Sequence, residues 1–178
     1  MATRLAHISD LHYYRPPGIR QALTKRALGL ANLYLKGRVS HFSEDVAALT
    51  VQSILEEAPD GVAITGDLTA LAAPKEFDAA LAGLKPLLDT FPTFIIPGNH
   101  DYYTRGARRE ARIEASFGQW ILGESQSPEG AIIYPTRHRL GPVTLYGLNP
   151  CRPDLRSSAP LLPQALERLA MMLAHPRA

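Results

Sequence analysis

The chain has 178 residues, enough for one domain with a sizeable core. Hydrophobic residues make up 46% and charged residues 20%, which excludes a disordered or fibrous class. Nineteen Lys and Arg against 17 Asp and Glu leave a net charge of +2, too little to imply specific nucleic-acid binding, and the single cysteine, Cys151, rules out an internal disulfide. The start, "MATRLAHISD", has no apolar signal region, and no stretch reaches the ~18 apolar residues of a spanning helix. A soluble cytoplasmic protein is the expectation.

In chain order, "RLAHIS" (4–9) has the look of an opening strand. "EDVAALTVQSILEEA" (44–58) has helical spacing through Val46, Leu49 and Ile54, with Ser43 as N-cap and acids in its first turn. "GVAIT" (61–65) is a buried-type strand. "PKEFDAALAGLKPLLD" (74–89) returns to helix, with Pro74 near its start and Phe77, Leu81, Leu84 and Leu88 on one stripe. "TFII" (93–96) is a third strand. Beyond it the pattern predicts an irregular helix over 107–121, strands at "AIIYPT" (131–136) and "VTLYGL" (143–148), and a helix over 163–174. "GESQSPEG" (123–130) has the composition of a surface loop. Strand–helix–strand–helix–strand argues an α/β sheet with crossover connections.

The first three predicted strands each end in a polar cluster: Asp10-Leu11-His12, Gly66-Asp67 and Gly98-Asn99-His100-Asp101. Ligands of open α/β sheets sit beyond the carboxyl ends of the strands, so these residues should share one crevice. Glycine before Asp67 and before Asn99 permits the sharp turn that follows each strand. Carboxylates, imidazole and an amide, without thiolate, suit divalent Mn, Fe, Zn or Mg. Asn149 ends a further predicted strand and is a candidate to approach the same crevice. His7 falls within a strand, where a packed or hydrogen-bonded core role is expected. His41 and His138 are expected at the surface, and Cys151 is expected as a small apolar filler.

"ISDLH" (8–12), "TGDL" (65–68) and "PGNHD" (97–101) resemble, in order and spacing, the first three signature blocks of the calcineurin-like metallophosphoesterases. The resemblance implies a β-sandwich flanked by helices, with the site at one rim. It implies that Asp10 and His12 bind a first metal, that Asp67 bridges two metals, and that Asn99 binds the second. It further implies that His100 donates a proton or stabilises charge at the phosphoryl group, with Asp101 orienting it. The implied activity is hydrolysis of a phosphodiester or phosphomonoester by metal-activated water, with the two metals clamping one phosphate.

The family's later blocks, a histidine after a later strand and a Gly-His-x-His, have no match here; after Asp101 the histidines are His138 and His175. The expectation is therefore a single, incomplete domain over 1–178, apparently truncated at its C-terminus. It should hold at most one cation, through Asp10, His12 and Asp67. An inactive homologue acting as a binding module is the alternative. An unpaired sheet edge would favour self-association. Residues 13–43 carry Arg15, Arg20, Lys25, Arg26, Lys36 and Arg38 with no acid. Ile19, Leu23, Ala27, Leu30 and Tyr34 are spaced along one face, which predicts a basic amphipathic helix: a cap beside the site, or an attachment to an anionic membrane surface.

Overall fold

A computed structural model describes residues 2–16, 44–125, 131–151 and 161–174. Its centre is a parallel sheet of β1 (Leu5–Ile8), β2 (Gly61–Thr65) and β3 (Thr93–Ile96), in that order. β2 takes the middle because its apolar run can be covered on both faces; four of its five residues are buried. The register lines Ile8 up with Ile64, and Ile64 with Ile95, so one apolar row crosses the sheet.

The crossovers run through α1 (Glu44–Glu57) and α2 (Pro74–Thr90). α1 turns Ala47, Val51 and Ile54 inward and packs on α2, while Val46 and Leu49 of the expected spacing are 61% and 65% exposed. The inward stripe keeps Ile54 of the expected spacing and adds Ala47 and Val51. α2 buries Phe77, Ala80, Leu84, Leu87 and Leu88. Its N-terminus is fixed by a fully buried Glu76, whose Oε2 accepts the backbone N–H groups of Leu71 and Ala73 at 2.9 and 3.0 Å.

The irregular helix expected over 107–121 is two helices, α3 (Arg105–Arg109) and α4 (Arg112–Leu122), parted at Ala111, whose φ of 45° is left-handed. α4 packs on α2 and β3 through Ile113, Phe117 and Ile121. β4 (Thr136–Leu140) and β5 (Val143–Gly147) form an antiparallel hairpin, separate from the parallel sheet in its hydrogen bonding. Here "AIIYPT" is corrected: residues 131–135 pass unpaired, with Ile132 and Tyr134 against the core, and the strand is "TRHRL". Pro135 has no N–H to give a ladder, whereas the polar strand that follows has a full set. α5 (Pro163–Ala174) buries none of its side chains.

Two histidine expectations also change. His7 is exposed on the edge strand, with Nε2 2.7 Å from Thr65 Oγ1, so it is hydrogen-bonded and not in the core. His138 is part-buried, packed edge-on against the Phe94 ring at 4.5 Å with Nε2 2.9 Å from the Ile121 carbonyl oxygen. Of the expected basic helix over 13–43, everything from residue 17 onward lies outside the described residues, as do Ser43, His41 and His175. Among the described residues no helix is long and apolar enough to cross a membrane.

Candidate metal centre

The loops leaving β1 and β2 stay zipped past the ends of the strands. The Asp10 N–H donates to the Gly66 carbonyl at 3.2 Å, His12 to Asp67 at 2.9 Å and Tyr13 to Leu68 at 2.8 Å. This pairing holds Asp10, His12 and Asp67 at φ values of 58°, 48° and 53°. Left-handed backbone costs an L-residue about 1–2 kcal/mol, and such strain gathers where surrounding bonds enforce a functional geometry. Its result is that one ligand atom from each of the three lies within 4.8 Å of the others. Asp10 is exposed, and His12 and Asp67 are half-buried.

Two glycines make the close approach feasible. A Cβ on Gly98 would lie 2.1 Å from Asp67 Oδ1, and one on Gly66 would lie 2.4 Å from the Gly98 nitrogen. The third loop can therefore lie directly on the second, and the His100 N–H donates to Asp67 Oδ1 at 2.8 Å. That bond fixes one carboxylate oxygen and leaves the other free to turn toward a cation. Asn99 sits one residue before this bond, half-buried at the same rim.

Burial, then the neighbouring His100, lower the His12 pKa, against opposing pulls from Asp67, the Thr69 carbonyl and Asp10. A neutral imidazole offers a lone pair, and Nε2 lies 3.6 Å from Asp10 Oδ1. The His12 and His100 rings meet edge to face at 4.8 Å, and His100 stacks on Tyr103 at 5.7 Å with 24° between planes. His100 Nδ1 lies 2.7 Å from the Ala70 carbonyl oxygen. An Nδ1–H donating there leaves Nε2 as the ring atom for proton exchange.

Asp101 is placed differently from its expected role. Fully buried, it accepts the Thr69 N–H and Oγ1–H on Oδ1 at 3.0 and 3.1 Å, and the Gly98 N–H on Oδ2 at 2.9 Å. It fastens the third loop to the second, and the group against the His100 ring nitrogen is the Ala70 carbonyl. Burial pushes the Asp101 carboxyl up to about 6, against the hydrogen bonds from Gly98 and Thr69 that favour its charged form, with Asp67 adding repulsion.

The sequence reading missed Thr69, the Ala70 carbonyl and Tyr103. Thr69 and Tyr103 do flank the polar blocks, as "TGDLT" and "NHDYY", but a carbonyl's role leaves no trace in residue type. Asn149 donates from Nδ2 to the Tyr102 hydroxyl at 3.1 Å and accepts the Cys151 N–H at 3.0 Å. Cys151 packs against the core with Sγ 3.5 Å from the Pro97 carbonyl oxygen. Burial, reinforced by Asp67 and Asp101, pushes its thiol up to about 11, so it remains a neutral thiol.

Comparison with known proteins is consistent with this geometry. The family described as calcineurin-like phosphoesterase matches residues 3–144, well over half the chain and including all three strand-end clusters. Over 97 residues the chain is 30% identical to the glycerophosphodiester phosphodiesterase GpdQ of Enterobacter lignolyticus (strain SCF1). That match covers 54% of this chain and 29% of the relative, so the chain aligns with under a third of that protein's length.

Proposed function

This chain belongs to the calcineurin-like phosphoesterase family, and on that premise we propose that it is a metal-dependent phosphoesterase acting on a phosphodiester or phosphomonoester. The observation that carries the reading is the Asp10–His12–Asp67 cluster, with ligand atoms within 4.8 Å of one another and the His100 ring 4.8 Å from that of His12. Oxygen and neutral-nitrogen donors suit Mn, Fe, Zn or Mg. Asp10, His12 and Asp67 would hold one cation, and Asp67 with Asn99 would be the start of a second site. Bound there, a divalent ion supplies Lewis-acid activation of water and neutralises charge on the phosphoryl oxygens.

The chain's own residues account for the rest. Asp67, oriented by the His100 N–H, supplies a carboxylate of fixed direction. His100, held by the Ala70 carbonyl and the Tyr103 ring, delivers a proton from Nε2 to the leaving alkoxide or stabilises charge at the phosphoryl group. Asp101 acts as a positioning residue by tying Gly98 to Thr69. Glycerophosphodiesters, the class in the relative's name, are the first substrates to try. In the same reading the described residues belong to one helix-flanked sandwich domain, and the protein works in the cytoplasm or at the periphery of a membrane.

Hydrolysis of bis(p-nitrophenyl) phosphate with added Mn tests the proposal. Mn-dependent release of p-nitrophenol is expected, falling about 10²–10⁴-fold in His100→Ala with metal binding retained. Metal loss in that variant would make His100 a ligand. Metal binding without turnover in the wild type would turn the reading to a binding module.

A further inference from the structure

His100 is held from three sides, and none of the three is a carboxylate. Its Nδ1 lies 2.7 Å from the Ala70 carbonyl oxygen, which can only accept, so Nδ1 carries the proton. The His12 ring meets it at 77° with centroids 4.8 Å apart, and the Tyr103 ring lies along its face at 5.7 Å and 24°. The last pair has the offset-stacked arrangement that aromatic rings prefer. Tyr103 is itself fixed twice: its N–H donates to the His100 carbonyl at 3.1 Å, and its ring packs on the Ala70–Leu71 pair of the second loop. Ala70 is fully buried, and its N–H donates to the Tyr13 carbonyl at 3.1 Å. The bond and the stack restrain the imidazole differently. Histidine χ2 is broad and roughly two-fold, and a carbonyl accepts over a wide range of directions, so the bond to Ala70 forbids a flip of the ring but permits tilt. A stacked face resists tilt but is indifferent to a flip. Together they leave Nε2 one direction.

We infer that Tyr103 is a positioning residue for the reaction: its ring face sets the tilt of the His100 imidazole, and so the aim of Nε2 at the phosphoryl group. The inference rests on the phosphoesterase reading and adds a residue to its machinery. Asp101, to which the family resemblance gives the orienting role, has its oxygens taken up by Gly98 and Thr69, which leaves the His100 ring to a carbonyl and an aromatic face. The face is what acts, so a phenyl ring at this position would serve as well.

The test is a double-mutant cycle on Mn-dependent hydrolysis of bis(p-nitrophenyl) phosphate, with NMR of the His100 ring as a second readout. Tyr103→Leu keeps an apolar side chain over Ala70 and Leu71 but removes the stack. It should lower kcat about 10–10²-fold, as a misaimed group does, and leave KM unchanged. Tyr103→Phe should keep the wild-type kcat, and Tyr103→Leu should cost nothing further in a His100→Ala background. With diamagnetic Zn in place of Mn, the wild type and Tyr103→Phe should show one narrow set of His100 ring signals, with cross-relaxation to the ring at position 103. Tyr103→Leu should show broadened or multiple sets. Wild-type kcat in Tyr103→Leu, a loss confined to KM, equal losses in the two variants at position 103, or a loss that persists in full without His100 overturns the inference. So do multiple His100 ring signals in the wild type. Thermal melting shows whether Tyr103→Leu is folded; if it is not, Tyr103→Phe and the wild-type ring signals decide. A wild-type chain that does not turn over ends the phosphoesterase reading instead, and the ring signals then decide alone whether Tyr103 fixes His100.

Discussion

At the scale of single residues, the centre depends on backbone strain that hydrogen bonds enforce. Asp10, His12 and Asp67 all occupy left-handed conformations, and each sits on a loop whose neighbours are fixed by backbone pairing or by Asp101. The residue types were legible in the sequence because each follows a short apolar strand. Their partners were less so: Asp101 carries a family role by resemblance, yet its oxygens are taken up by Gly98 and Thr69. His138 shows the same limit in reverse: expected at the surface, it is part-buried with its ring against Phe94. Burial, the largest effect, holds its pKa below 6.5, against upward pulls from the Ile121 carbonyl and Glu124. Below pH 6.5 the unfolded chain therefore binds more protons than the folded one at this residue, and stability falls as pH drops toward the lowered folded value. His138→Gln keeps an N–H for Ile121 but does not titrate. Between pH 7.5 and 5.5 the melting temperature of the wild type should fall relative to that variant; parallel profiles would refute a neutral, buried His138.

At the scale of elements, β2, β3 and α2 were readable because each buries its apolar run or stripe, whereas α1 turns a different face inward from the one expected and β1 buries no residue fully. Strand β4 was not readable, because "TRHRL" is polar, while the apolar "AIIYPT" before it packs without pairing. Hydrophobicity reports burial and says nothing of hydrogen bonding. The break between α3 and α4 was visible only as irregularity. Ala111 is exposed there, left-handed, and caps α4 without a side-chain bond. Glycine has no Cβ to strain at that φ, so Ala111→Gly should stabilise the fold by about 1 kcal/mol, raising the melting temperature by roughly 2–4 °C. A lower melting temperature would mean that Ala111 is not under strain.

At the scale of the whole molecule, parallel strand order does the work of assembly. Consecutive parallel strands joined by α1 and α2 bring three loops to one rim, and side chains separated by 57 residues, as Asp10 and Asp67 are, come within reach of one ion. The β4–β5 hairpin packs along the sheet, with Leu140 against Gly61 of β2, Gly147 close to Ile96 and the His138 ring against Phe94 of β3. His138 thus belongs to packing and takes no part in the metal site.

The account's central claim is that Asp10, His12 and Asp67 hold a divalent cation, and calorimetric titration with Mn tests it most directly. Asp67 is half-buried and oriented by the His100 N–H, whereas the Asp10 side chain is 65% exposed, so solvent screens its charge more. The wild-type chain should bind one Mn per chain, Asp67→Asn should abolish that binding, and Asp10→Asn should weaken it less. No binding by the wild type, or binding undiminished in Asp67→Asn, would contradict the claim.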